Sequence, residues 1–122
     1  MFHLIKNANV FAPQAMGLCH VLVVAEKIIY IGAHEPVLDD IFDVEVVDLA
    51  GASLVPGLID GHAHITGGGG ETGPASRVPP VFLSQFTHSG VTSVVGVLGT
   101  DDLTRNTQSI VTQAYSLREE GM

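Results

Sequence analysis

The sequence predicts an α/β protein in two parts: a β-rich first half, then β/α units of a parallel sheet. Three observations carry this. Up to about residue 54, short runs rich in β-branched residues recur between turn residues. Beyond Val55, apolar runs alternate with stretches of helical periodicity. At the junction, Val55-Pro56-Gly57-Leu58-Ile59-Asp60-Gly61-His62-Ala63-His64 ends an apolar run in two histidines spaced i and i+2. The glycines Gly67, Gly68, Gly69 and Gly70 and an acid, Glu71, follow.

Taken in order, residues 4–10 form the first predicted strand and residues 18–25, with Val21-Leu22-Val23-Val24, the second. Residues 27–32 form a third, joined to the second by a turn around Glu26. Residues 44–49 form a fourth and 53–55 a short fifth, while 35–42, with Pro36 and nearby aspartates, is a loop or one helical turn. Such close-set strands predict a β-meander or sandwich. In the second half, residues 58–64 form a strand that stops at the glycines, which favour no regular structure. A helix over 80–89 is predicted to start at Pro79-Pro80, because proline suits the first helical turn, and to end at Gly90 in a left-handed cap. The continuous apolar run over 91–98 reads as a strand buried on both faces. Gly99-Thr100-Asp101 turns the chain. A second helix over 107–120 is apolar at Ile110, Val111, Ala114 and Leu117, with Gly121 as its cap. The second half therefore holds two β/α units, whereas a TIM-type barrel takes about eight. The chain reads as the front portion of a longer protein, with a small β-sandwich subdomain over 1–54 and the start of a barrel over 55–122.

Composition bounds the function. At 46 % hydrophobic over 122 residues, the chain can bury a core and lacks the signature of disorder. Thirteen acidic against five basic residues, a formal net charge of −8, argue against a nucleic-acid-binding surface and against an anionic membrane surface. A single cysteine, Cys19, excludes an internal disulfide framework and fits a reducing compartment. The N-terminus has no signal-peptide pattern, and no apolar run approaches the roughly 18 residues needed to span a bilayer. The reading is a soluble, cytoplasmic protein.

Residues two apart on a strand project to one face, so His62 and His64 can share a metal. Alone the pair is a weak signal, since structural zinc takes about four ligands and catalytic zinc about three from protein. Its setting strengthens it: a metal at the mouth of a strand, beside a polar glycine loop, suits hydrolytic chemistry.

The Pro-Gly-Leu-Ile-Asp lead-in with His-x-His resembles the amidohydrolase superfamily, whose first barrel strand ends in this metal motif. His62-Ala63-His64-Ile65-Thr66-Gly67-Gly68-Gly69-Gly70-Glu71-Thr72-Gly73-Pro74 is similar, more specifically, to the corresponding loop of bacterial isoaspartyl dipeptidases. Residues 90–96 and Leu98-Gly99-Thr100-Asp101 resemble that family's second barrel strand and its loop, and the likeness extends through the N-terminal strands. The resemblance implies a urease-like composite subdomain ahead of a metallo-hydrolase barrel, and a binuclear zinc enzyme that cleaves β-aspartyl isopeptide bonds. By resemblance His62 and His64 hold the more buried zinc. A carbamylated lysine, two further histidines and a proton-shuttling aspartate complete the family's site on later strands, and none of them occurs before Met122. Asp60 belongs to the lead-in and does not replace that aspartate. Glu71 is implied to bind the substrate's ammonium, Gly69 to offer backbone hydrogen bonds, and Thr100 to bond the substrate carboxylate. Family members can assemble into homo-oligomers.

Plainer readings stand beside these. Glu71 by itself is a solvated loop acid. Thr100 serves equally well as a helix or turn cap. The glycine run lacks the Gly-Lys-Ser/Thr of a phosphate cradle. His3, His20, His34 and His88 show no partner pattern, and Arg77, just past the loop, is a candidate neighbour of the substrate or carbamate site but is rather expected to face solvent. Three functions follow: an isoaspartyl dipeptidase acting on small β-aspartyl peptides; a sibling amidohydrolase on cyclic amides such as dihydropyrimidines, with no use for an ammonium-binding Glu71; and a non-catalytic β-rich binding module. The segment alone is expected to be inactive, with two zinc ligands and no proton shuttle.

Overall fold

A computed structural model describes residues 1–122, which divide into two compact units, Met1–Pro56 and Gly57–Met122. In the first, β1 (Phe2–Phe11) is central. It pairs antiparallel with β2 (Ala15–Val24), which pairs antiparallel with β3 (Lys27–Gly32). On its other side β1 pairs in parallel with β4 (Val44–Asp48) and then with β5 (Ser53–Leu54). The β2–β3 connection is tight because Ala25 and Glu26 both take positive φ, 47° and 65°, the geometry that matches strand twist in a two-residue hairpin.

Within this unit the five strands form one mixed sheet, where a β-meander or sandwich was expected. The first three strands form the expected meander, each beside its predecessor, whereas β4 crosses to the far edge of β1. One side buries Ala8, Val10, Cys19 and Val21, with Ile5, Val23, Ile31, Leu49 and Leu54 packed around them. The apolar Ile28 and Val46 remain 64 % and 55 % exposed. Pairing in β1 breaks between Ile5 and Ala8, where Asn7 has a φ of 52°. Its side-chain amide donates to both carboxylate oxygens of Asp48, at 3.0 and 2.9 Å, and so ties the bulge to the end of β4.

In the second unit β6 (Leu58–Ala63) and β7 (Val91–Gly96) form a two-stranded parallel sheet, linked through a 3-10 turn (Pro74–Ser76) and α1 (Leu83–His88). After β7 the chain runs into α2 (Thr107–Glu119). Ala63, Ile65, Phe86 and Leu117 form the core, with Val91, Val94, Ile110 and Met122 against it. Two expectations need adjustment. The first helix starts at Leu83, not at Pro80, because Gln85 folds its side chain back to accept the Phe82 backbone N–H at 3.0 Å and caps the turn there. And β7 is not buried on both faces: it has one paired neighbour, β6, and Val95 stays 53 % exposed. The second helix ends as expected. Gly121, at φ 110°, lets the Met122 N–H reach the Leu117 carbonyl at 3.0 Å while its own N–H reaches Arg118 at 3.1 Å, and Met122 packs on the same core as Leu117. No helix is long and apolar enough to cross a membrane.

Candidate metal and substrate site

The predicted site residues sit at or just past the carboxyl ends of the two parallel strands, where α/β proteins commonly build their sites. His62 lies in the last turn of pleat of β6, and His64 follows the strand. Their rings are 5.2 Å apart between centroids and nearly perpendicular, at 88°. This is close enough for both to serve one ion. Strand pairing with β7 skips Gly61 and His62, and there the Asp60 carboxylate accepts the His62 backbone N–H at 2.9 Å. Asp60 thus supports the strand end that carries His62. His64 is half-buried, and its Nδ1 is a buried nitrogen with no hydrogen-bond partner in the protein. It faces Gly99, where an added Cβ would stand 3.4 Å away.

An orphaned imidazole nitrogen beside a second imidazole fits the donor set of a zinc site, because a buried polar atom normally finds a partner. The pair fits as two ligands of such a site; nowhere in the chain do three His, Cys, Asp or Glu side chains converge as a metal cluster.

Glu71 is exposed at the tip of the glycine loop. Its carboxyl is held below the ordinary range, first by its own backbone N–H and next by the Thr100 hydroxyl. Partial burial opposes this, while the nearby Arg105 and the His64 ring assist. The structure therefore brings Glu71, Thr100 and His64 together although 36 residues of sequence separate Thr100 from His64. Thr100 is not the N-cap of α2. The N-cap of α2 is Asn106, whose side chain accepts from the Ser109 N–H at 2.9 Å, and the preceding turn is held by Asp101, which accepts from the Thr104 N–H at 3.0 Å and hydroxyl at 2.6 Å.

Gly69 bridges to Arg77 as an isolated antiparallel pair. Its φ is 68°, and a Cβ there would strike the Ser76 carbonyl, so only glycine lets the two arms of the loop approach this closely. Arg77, expected to face solvent, is 42 % exposed but donates from Nε to Asp101 at 2.9 Å.

Sequence reading missed Asp101 and Arg105. Both are buried, at 9 % and 6 % exposure. Arg105 donates from Nε to the Thr66 carbonyl at 3.0 Å, from Nη1 to Gly68 at 2.9 Å and Gly69 at 3.3 Å, and from Nη2 to Val78 at 2.9 Å. Its acceptors are all main-chain atoms, which leave no trace in side-chain identity. The only available signal was a lone arginine shortly before a helix. Among the other histidines, His3 Nδ1 meets Glu45 at 3.0 Å, and the His34 carbonyl accepts from the Tyr30 hydroxyl at 2.8 Å. A cleft of about 200 Å³ borders Ile65, Val94, Leu117 and Met122 and includes none of the candidate site residues. A smaller one, about 90 Å³, lies beside the loop against Gly70, Arg77 and Asp101.

The chain is similar to several known proteins. The structure of a beta-aspartyl dipeptidase from Fervidobacterium islandicum AW-1 matches all of the chain at 44 % identity and a TM-score of 0.86, over 33 % of that protein. The same enzyme in complex with beta-Asp-Leu dipeptide matches all of the chain at 44 % identity and a TM-score of 0.84, over 31 % of its length. A dihydropyrimidinase from Brevibacillus agri NCHU1002 matches 96 % of the chain at 25 % identity and a TM-score of 0.63, over 24 % of its length. An enamidase from Eubacterium barkeri is 32 % identical over 74 residues, 61 % of the chain and 18 % of that protein. No protein-family model matches the chain. These neighbours are hydrolases of the amidohydrolase superfamily. From its first residue to its last, the chain matches a beta-aspartyl dipeptidase in sequence and fold, and it spans about one third of that enzyme's length.

Proposed function

We propose that this chain supplies the first metal-binding strand and the ammonium-binding loop of a zinc-dependent dipeptidase that hydrolyses β-aspartyl isopeptide bonds. The supporting observation is the His62–His64 pair, with ring centroids 5.2 Å apart, beside the glycine loop that carries Glu71, in a chain 44 % identical to a beta-aspartyl dipeptidase. In this reading segment 1–54 is an accessory β subdomain and 55–122 begins the barrel; the protein acts in the cytoplasm, in keeping with the free Cys19.

The chemistry follows from the residues. A β-aspartyl dipeptide carries a free α-ammonium and α-carboxylate beside the scissile amide. Glu71, kept ionised by its N–H and Thr100, receives the ammonium as a charge-assisted pair and so fixes where the amide falls. Gly69 is the candidate for a main-chain hydrogen bond to the ligand, and the Thr100 hydroxyl, once the ammonium replaces it as partner of Glu71, can turn its one proton to the carboxylate. His62 and His64 would hold zinc, which when bound polarises the carbonyl and makes hydroxide available at neutral pH. The segment alone, with two ligands, is inactive in this reading.

The test is turnover of β-aspartyl-leucine by the zinc-loaded full-length protein. Activity is expected, with Glu71→Gln raising KM about 10- to 100-fold, the equivalent of one charged hydrogen bond. No turnover across several β-aspartyl dipeptides would sink the proposal. The similarity to a dihydropyrimidinase supports a second reading, hydrolysis of cyclic amides. Full activity of Glu71→Gln on such a substrate would favour it.

A further inference from the structure

The Glu71 loop leaves β6 and returns toward α1 with few side chains of its own to fix its path. Arg105 contacts both of its arms. Thr66, Gly68 and Gly69 precede Glu71, Val78 follows it, and all four carbonyls converge on one guanidinium at 2.9 to 3.3 Å. Asp101 stands between Arg105, at 3.8 Å, and Arg77, at 2.9 Å, and Arg77 is itself paired to Gly69 across the loop. The segment bearing Arg105 and Asp101 also bears Thr100. A planar fork with donors in fixed directions can hold four carbonyls at once; an ammonium, compact and with three donors, cannot.

We propose that Arg105 is a positioning residue: it closes the glycine loop into one shape and sets the spacing between Glu71 and Thr100 that receives the substrate's ammonium and carboxylate. This rests on the dipeptidase reading for its substrate, while the shape of the loop can be measured without it. Arg105 does not touch the substrate. It acts through the loop, so its loss changes where Glu71 stands while leaving the charge of Glu71 in place. The larger effect then falls on substrate capture, because a displacement of about 1 Å at an orienting group can cost up to about 100-fold.

The experiment uses the full-length, zinc-loaded protein with Arg105→Lys, which keeps the buried charge and so protects folding. Arg105→Gln is the second variant. Two readouts are taken, amide hydrogen exchange over residues 66–78 and kinetics on β-aspartyl-leucine. Faster exchange at Val78, whose N–H is bonded to Gly68 at 2.8 Å, is expected together with a KM raised about tenfold or more and a smaller change in kcat. In the Glu71→Gln background the Arg105→Lys effect on KM should shrink to about threefold or less, because its route to the substrate is gone. Unchanged exchange overturns the inference whatever the protein's substrate. Faster exchange with an unchanged KM reduces Arg105 to a structural part and overturns its positioning role. An additive double mutant does the same. Failure of the parent protein to turn over any β-aspartyl dipeptide sinks the dipeptidase reading instead, and with it the assigned substrate.

Discussion

Replacing Ile65 tests the link between core packing and the metal strand. Ile65 is fully buried, packs with Ala63, Phe86 and Leu117, and lies with its Cδ1 against Gly96, where an added Cβ would come within 2.6 Å. Ile65→Ala removes three carbons. At about 0.8 kcal/mol per buried carbon this is roughly 2.4 kcal/mol of transfer free energy, and the residual cavity raises the loss to about 3–4 kcal/mol. Ile65→Val removes one carbon and should cost about 1 kcal/mol. Urea unfolding of the protein is the assay, the midpoint falling while the slope stays constant. With slopes of about 1–3 kcal/mol per molar, Ile65→Ala should move the midpoint by at least about 1 M. Val37→Ala, at a 99 % exposed position, is the control and should stay within about 0.5 kcal/mol. If Ile65→Ala cost no more than Ile65→Val, the side chain would not be filling the core as described. Because Ile65 lies between His64 and the Thr66 carbonyl that Arg105 holds, the same variant should also weaken metal retention.

Three further outcomes are expected. Asn106→Ala removes the side chain that accepts the Ser109 N–H and should lower stability by about 1 kcal/mol in thermal melts. His62→Asn and His64→Asn should each reduce zinc affinity by about 100-fold or more, read by metal analysis after dialysis against a graded chelator; retention of metal by both variants would remove the pair from the site. Asp101 should govern an acid limb of stability. Its carboxyl lies below the ordinary value of 3.8, held down first by the Thr104 hydroxyl and N–H, with Arg77 and Arg105 assisting against burial. A depressed folded-state value means that this stabilisation is fully present above about 3.8 and is lost as pH falls through the lower, folded value. Melts from pH 7 to 5 should therefore show none of this loss, and Asp101→Asn should lower stability at pH 7 while flattening the fall below about pH 4.

What could be read from the sequence divides by range. The span of β3 is that of the predicted strand, and α2 ends one residue short of its prediction, because alternation, periodicity and a terminal glycine are local properties. The start of α1 was missed because a short-range rule, proline in the first turn, competed with another, the reach of Gln85 back to Phe82. The strand order of the first unit was illegible for a different reason. Which edge of β1 receives β4 is decided by pairing over some forty residues, as Phe2 with Val44, and strand composition does not encode it. Of the candidate site, the spacing of His62 and His64 and the acid after the glycines were legible. The proximity of Thr100 to Glu71 was implied by resemblance, since nothing in the spacing gives it.

Arg105 was illegible on any of these grounds, and the reason bears on how the loop works. Glycines permit the close approach of Gly69 to Ser76, but they leave the unfolded chain its greatest freedom and supply no side chains to hold the folded one. Order must therefore come from outside the glycine run. A buried guanidinium that loses its water needs every donor satisfied, and a loop crowded with carbonyls needs donors. Each thus meets the other's requirement, with Asp101 balancing the charge at the rim. On this account the glycines and Arg105 are one device, and a substitution at either should act like one at the other. Gly69→Ala, which would drive a Cβ into the Ser76 carbonyl, should loosen the same Val78 amide as Arg105→Lys, and the double variant should be little worse than the more damaging single one. Additive losses of protection would show two independent supports and refute the coupling.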